Sequence, residues 1–473
     1  MSKNWRNVPL SEICDINPRM GKTTFAEDSS YAFVPMASVG AADGSIDVST
    51  KRPYAEVKKG FTSFQSGDVL FAKITPCMEN GKMAVVPDLE NHYGFGSTEF
   101  HVIRPKAGID PKYVYYFVSC SGFRREAGHN MTGAVGQKRV PTDFLKQRLI
   151  PLPPTPEDQK RIVAEIEKQF SRLDEAIASL KRIHANLKRY KAAVLKAAVE
   201  GKLTEQWRKD HPVVEPADQL LKRILAERRA KWEAEELAKI KAKGTKPKDD
   251  SWKKKYKEPA GPDSTNLPEL PEGWVWVSAY TVCIITSGYA FKSNEFTDSG
   301  TPAIKIANVS YGRFLWKQQE YLPDGFVDSY KDFQVQPGEI LLALTRPITV
   351  DTVKACVYPL DAPIALLNQR VASLKPFHGY EKNLLLYLMQ SEPFKIQIKS
   401  GLTETLQPNL SPLDLQKFSV PLPPETEQLE IVAEIDRRLS VSEELETTVE
   451  TNLKRAERLR QTILQRAFSG GLV

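Results

Sequence analysis

The sequence predicts an α+β protein built as an internal repeat. Two similar globular domains are separated by two long helices that form an antiparallel coiled coil, the halves being related by a pseudo-twofold. Three observations predict it. Segments recur in the same order at a near-constant spacing, each recurring unit opens with short β-type runs broken by turn residues, and each closes with heptad-spaced apolar residues.

The repeat is read directly. Trp5, Val8 and Cys14 recur as Trp274, Val277 and Cys283, and Ile162-Val163-Ala164-Glu165-Ile166 recurs as Ile431-Val432-Ala433-Glu434-Ile435, each 269 residues on. Gly67-Asp68-Val69-Leu70 parallels Gly338-Glu339-Ile340-Leu341, and Pro76 and Pro105 parallel Pro347 and Pro376, at 271 residues. Leu195, Ala198, Gly201 and Leu203 meet Leu464, Ala467, Gly470 and Leu472 at 269 residues again. A set of matches in one order over the whole unit is no coincidence of composition.

Residues 1–150 and 271–420 are the two globular domains. Val69-Leu70-Phe71-Ala72, Met83-Ala84-Val85-Val86 and Phe100-His101-Val102-Ile103 read as strands, being β-branched and aromatic runs between Gly, Pro, Asn and Asp. A helix is expected over 112–121, after Asp110-Pro111, and its counterpart over 383–390. Residues 151–203 form the first long helix, opened by Pro156 with Thr155 as N-cap and stopped by Gly201. Its seam runs through Ile166, Phe170, Leu173, Ile177, Leu180, Leu187, Val194 and Ala198, with His184 and Lys191 interrupting. A helix over 157–200 would be roughly 65 Å long.

Residues 204–270 are a connector. It carries a charged helix over 218–243 with Leu221, Leu225 and Trp232 as anchors, then Lys246, Lys248, Lys253, Lys254, Lys255 and Lys257 around Trp252 and Tyr256. A solvated linker and a phosphate-touching segment are both compatible with that run. Residues 421–473 form the second long helix, with a seam through Leu439, Val449, Leu453, Ala456 and Ile463, interrupted by Ser442 and Glu446. Two narrow apolar stripes are best buried against each other.

Composition sets the outer limits. A chain of 473 residues, 41% hydrophobic and 26% charged, is long enough for two cores. Its net charge of +7 permits nucleic-acid binding without demanding it. Five scattered cysteines argue against a disulfide framework or a zinc site, and the apolar runs are too short to cross a bilayer, so a cytoplasmic protein away from membranes is expected.

Pro151-Leu152-Pro153-Pro154 and Pro421-Leu422-Pro423-Pro424, followed by Gln159 or Gln428 and Ile-Val-Ala-Glu-Ile, resemble the conserved regions of type I restriction–modification specificity subunits. The order of parts is similar, and Pro271-Glu272-Gly273-Trp274 looks like the usual entry to a target-recognition domain of that family. The resemblance covers everything but the connector. It implies a DNA-binding subunit without a catalytic centre or cofactor, each domain reading half of an asymmetric bipartite site in double-stranded DNA and the helices fixing the gap. It also implies as partners two modification (methyltransferase) subunits and restriction (endonuclease and translocase) subunits, which would carry S-adenosylmethionine, ATP and magnesium.

Catalytic patterns are weak. Gly21-Lys22-Thr23 ends like a Walker A loop, but position 16 is Ile where glycine is required. No Asn/Asp-Pro-Pro-Tyr/Phe run is present, Asp47 with Glu56 and Lys58 only loosely resembles a nuclease set, and the six histidines form no ligand pattern. Cys14 and Cys283, at equivalent positions, suit small buried residues.

For DNA contact the candidates are three polar loops in each domain. The first domain offers Lys73, Thr75, Asn80 and Lys82, then Arg124 and Arg125, then Gln137, Lys138 and Arg139. The second offers Thr345 and Arg346, then Lys395 and Lys399, then Gln407 and Asn409. Arg and Lys pair with guanine, Asn and Gln with adenine, and all of them can hold phosphate. The competing readings are a stand-alone DNA-modifying or DNA-cleaving enzyme with duplicated binding domains, and a coiled-coil scaffold without DNA.

Overall fold

The structure is a computed structural model that describes residues 5–20, 25–134, 136–212, 214–245, 247, 249–263, 267–317, 319–404 and 406–472. Gly21-Lys22-Thr23 and the lysines at 246 and 248 lie outside them. The chain forms two compact units, residues 1–183 with 448–473, and residues 184–447.

In the first unit, strands Cys14–Ile16, Phe100–Pro105, Val69–Ala72 and Met83–Val85 lie in that order, all antiparallel. A second sheet orders Lys51–Pro53, Ser30–Val34, Tyr93–Gly96 and Thr62–Gln65, with Ser30–Val34 parallel to Tyr93–Gly96. A ribbon of Arg6–Pro9 and Leu149–Leu152 leads into the long helix. The reason Val69–Ala72 is apolar throughout lies in its two faces. Val69 and Phe71 join the core under the helices, whereas Leu70 and Ala72 join the core between the sheets.

The second unit repeats this plan. Cys283–Ser287, Val371–Pro376, Ile340–Ala343 and Ala355–Val357 form one sheet, and Glu320–Leu322, Thr301–Ile304, Ala365–Leu367 and Gln334–Val335 the other. Its parallel strand pairing, Thr301–Ile304 with Ala365–Leu367, occupies the same place. Ile340 and Leu342 face one core, Leu341 and Ala343 the other. The helix expected over 112–121 is two helices, Pro111–Ser119 and Ser121–His129, because Cys120 is extended between them; the second unit has Lys382–Met389 and Glu392–Ser400.

The long helices run over Pro156–Val199 and Glu425–Phe468. Thr155 Oγ1 accepts from Asp158 N at 3.2 Å, the expected N-cap. Each helix starts on its own domain, with Ile162, Val163 and Ile166 in the first core and Ile431, Val432 and Ile435 packed with Trp274, Leu384 and Leu388. Each then pairs antiparallel with the other inside both units. In the first unit Leu173 packs on Ala456 and Ile463; in the second Val194, Leu195 and Ala198 pack on Ile431, Ile435 and Leu439.

The connector helix, Ala217–Ala242, packs on the second domain with the expected anchor Leu221 partly buried at the edge of the contact. Ala217, Leu220, Ile224 and the aliphatic part of Arg228 are buried, a stripe stepping by three and four. The Arg228 guanidinium donates to the Tyr280 carbonyl at 2.5 Å and lies 3.6 Å from the Tyr280 ring centroid. Trp232 stacks on Trp252 and Tyr256, so those aromatics fold onto the helix while Lys254, Lys255 and Lys257 stay exposed.

Candidate nucleic-acid interface

In the first domain the strand Val69–Ala72 runs on into a loop over 73–82. A second segment crosses that loop: Val140 N donates to Lys73 O at 2.9 Å, and Thr75 N donates to Lys138 O at 3.0 Å. From the helix Ser121–His129, Arg124 NH1 donates to Glu79 O at 2.7 Å. The three polar loops therefore converge at one end of one domain.

Their side chains divide into two groups. Lys82 Nζ donates to the carbonyls of Met36 and Val39, at 3.0 and 2.9 Å, and Arg139 clasps Glu99 with two bonds of 2.9 and 2.8 Å. That guanidinium holds the Glu99 carboxyl below the usual carboxylate range. Arg124 is half-buried, burial lowers its pKa, and its Nε has no partner among the described residues. Thr75 Oγ1 donates to Glu79 Oε1 at 2.9 Å. Asn80, Arg125, Gln137 and Lys138 are exposed, and Lys73 is half-buried.

The second domain uses the same stitching with other residues. Leu410 N donates to Leu344 O and Arg346 N to Pro408 O, both at 2.8 Å. Position by position, Arg346 takes the place of Thr75, and Asn409 that of Arg139. Thr345 is buried and donates from Oγ1 to Asn409 Oδ1 at 2.5 Å. Lys395 is buried too, its ammonium between Asp351 at 3.3 Å and Glu392 at 3.0 Å. Arg346, Lys399 and Gln407 are exposed. Of the proposed contacts, then, Lys82, Arg124, Arg139, Thr345 and Lys395 brace the loops, and Asn409, though exposed, is bonded to Thr345 and to the Gln407 carbonyl.

Two features escaped sequence reading. Beneath the first loop, His101 is buried with Nε2 2.8 Å from Val140 O and Nδ1 2.9 Å from Asn17 Nδ2, so the ring is neutral with its proton on Nε2. In the second domain Ile348–Thr349 and Thr352–Val353 form a hairpin that the described residues of the first do not repeat. No Asn-Gly or Gly marks its turn, so the usual signal was missing.

Among the described residues the candidate nuclease and nucleophile groups are engaged or buried. Among the described residues no three His, Cys, Asp or Glu side chains gather as metal ligands. Asp47 accepts from Ser49 N at 2.9 Å, and Lys58 pairs with Glu27 at 2.9 Å. Burial pushes the Cys14 and Cys283 thiols up to about 12, far from a reactive thiolate at neutral pH. Among the described residues no helix is long and apolar enough to cross a membrane.

Comparison with known proteins points the same way. A family model described as the type I restriction modification DNA specificity domain matches residues 2–189 and 271–455. The Escherichia coli type I restriction enzyme EcoAI specificity subunit is 30% identical over 493 residues, spanning 94% of this chain and 79% of its own. The EcoEI specificity subunit, also from E. coli, is 26% identical over 507 residues, spanning 95% and 80%. A chain from a structure of type I R-M complex assembly and conformational transition shares the fold at a TM-score of 0.67 and 22% identity, covering 100% of this chain and 99% of its own. The HsdS subunit from Thermoanaerobacter tengcongensis shares it at 0.55 and 20%, covering 100% and 98%.

Proposed function

Because the chain belongs to the type I restriction modification DNA specificity family, we propose that its two globular domains each read one half of an asymmetric bipartite DNA site. The chain is the DNA-recognition subunit of a type I restriction–modification complex and is not itself a catalyst. In this reading residues 1–150 and 271–420 are the target-recognition domains, and the helices of 151–203 and 421–473 set the gap. Two modification subunits and the restriction subunits assemble on it in the cytoplasm and carry S-adenosylmethionine, ATP and magnesium. The exposed Asn80, Arg125, Gln137 and Lys138, and Arg346, Lys399 and Gln407, face the two half-sites.

One observation carries the reading. Two domains of the same strand order carry unlike side chains at matched loop positions, Thr75 against Arg346 and Lys138 against Pro408. A shared frame with different hydrogen-bonding groups is what two different half-sites require. Helical spacers, unlike flexible loops, turn half-site separation into geometry.

The test is binding by the chain assembled with its modification subunits. Duplexes are selected from a random pool, then rebuilt with the gap between conserved blocks lengthened or shortened by one base pair. Two conserved blocks and loss of binding on changing the gap are expected. One block, or indifference to the gap, overturns the reading. So does cleavage or methylation of DNA by the isolated chain, which would restore the stand-alone enzyme.

A further inference from the structure

We propose that Val350, at the tip of the second domain's hairpin, reads the 5-methyl group of a thymine in the major groove; the inference rests on the DNA-reading function above. The hairpin pairs Ile348 with Val353 and Thr349 with Thr352, leaving Val350 and Asp351 as a two-residue turn. Both turn residues have positive φ, 51° and 59°, the signature of a type I′ turn. Such turns favour Asn-Gly because an L side chain at positive φ crowds its own backbone, most severely when it is β-branched.

Packing of the Val350 side chain among the described residues does not repay that strain. Val350 is 84% exposed, so its methyls bury almost no surface. Yet the turn is held from several sides. Asp351 sits 3.3 Å from Lys395 Nζ and 3.7 Å from Lys399 Nζ. Gln390 brackets Val353, accepting from its N and donating to its O, both at 3.0 Å. Lys354 N donates to Pro347 O, and Arg346 N to Pro408 O, at the hairpin's base. Strained backbone fixed by its surroundings is a mark of function. Here the bracing serves to present an apolar tip.

The surroundings narrow what the tip touches. Arg346 and Lys399 are exposed beside it, cations suited to a phosphate-lined groove. A two-stranded ribbon fits the major groove, where the apolar group on a base edge is the thymine methyl. The equivalent loop of the first domain ends instead in Glu79 and Asn80, with Gly81 supplying the positive φ of 71°. Methyl reading by this device is therefore confined to the half-site of the second domain.

The experiment uses the chain with its modification subunits and a duplex carrying its selected site. Each thymine of the second half-site is replaced in turn by deoxyuridine, which removes only the methyl. At one position the unaltered protein should lose about fourfold in affinity, the worth of one buried methyl. Val350→Ala and Val350→Gly should bind thymine and uracil there equally. Val350→Gly should fold at least as stably, since glycine accepts the turn. The inference is overturned if no position responds, if variants and parent respond alike, or if that half-site lacks thymine. Val350→Gly weakening subunit assembly with uracil discrimination intact would assign the tip to a protein surface and equally overturn it. A chain that selects no bipartite site defeats the underlying reading, whereas selection without methyl coupling defeats this inference alone.

Discussion

Lys191 Nζ lies 3.4 Å from Glu446 Oε2, so the polar break in one heptad seam faces the polar break in the other. His184 Nε2 approaches the same carboxylate at 3.6 Å, and Lys191 also reaches Glu443 at 3.5 Å. A shift by one heptad would leave at most one of His184 and Lys191 beside Glu446 and set the other against an apolar stripe, so the cluster favours this register.

Glu446→Gln should therefore lower stability by about 1 kcal/mol, the range of half-exposed ion pairs, and less at high salt. Replacing His184, Lys191 and Glu446 together by leucine should raise the unfolding midpoint while blurring discrimination between gap lengths. A triple variant that keeps sharp gap discrimination would remove the register role. Ser442, buried and with no partner for its Oγ among the described residues, gives the opposite sign: Ser442→Ala should be neutral or stabilising by up to about 1 kcal/mol in urea melts.

Gln159 and Gln428 do the same work in the two copies. Gln159 accepts from Asp110 N at 3.0 Å and donates to Gly108 O at 3.3 Å. Gln428 accepts from Glu381 N at 2.6 Å and donates to Gly379 O at 2.9 Å. Each ties its long helix to the turn before a domain helix. Either alanine variant removes the partner of two part-buried or exposed backbone groups and should cost about 1 kcal/mol. Faster hydrogen exchange should appear at the Asp110 amide in one variant and at the Glu381 amide in the other, and exchange that rises equally at both would refute the pairing of each clamp with its own domain.

His101 makes stability depend on pH. Burial lowers its pKa first, and the nearby Lys73 adds to this, against the opposing Val140 carbonyl and Glu99. Protonation then favours the unfolded chain, whose ordinary value is 6.5. The contribution is complete above that value and is lost as pH falls through it toward the folded pKa. Thermal midpoints should drop between pH 8 and 5.5, and His101→Gln, which keeps a donor for Val140 O, should flatten the curve. An unchanged slope would place the pH response elsewhere.

Base readers and phosphate holders should separate by their selectivity. Arg346→Ala, if the arginine spans a guanine, costs about 1–3 kcal/mol at one base pair and relaxes selection there. Lys138→Ala should weaken all duplexes alike and shallow the salt dependence by about one unit of slope. Competition with randomised half-sites at two salt concentrations measures both. Unchanged selection in every exposed-residue variant would move the interface off these loops.

The repeat, the seams and the positions of the polar loops were legible because they depend on spacing along the chain. Thr75 and Arg346 could be matched by register before any coordinate was known. What Lys82 and Lys395 do was not fully legible, because the Met36 and Val39 carbonyls and Asp351 lie far off in sequence, and of the partners only Glu392, three residues before Lys395, is near. A lysine in a polar loop looks the same whether it holds a carbonyl or faces solvent. The connector misled for another reason. Its buried stripe begins at Ala217 and ends in Arg228, two residue types that hydrophobic patterning discounts.

Phe468 packs on Tyr113 and Phe117 at ring-centroid distances of 5.1 and 5.4 Å, beside Leu464 and Ala467 in the core of the first domain. Order of synthesis and order of completion thus part company. The first domain leaves the ribosome with an aromatic bay open to water, and it stays open while the connector and the second domain are made. A premature stop codon ahead of Leu464 would do its damage at the other end of the polypeptide, in the domain translated first.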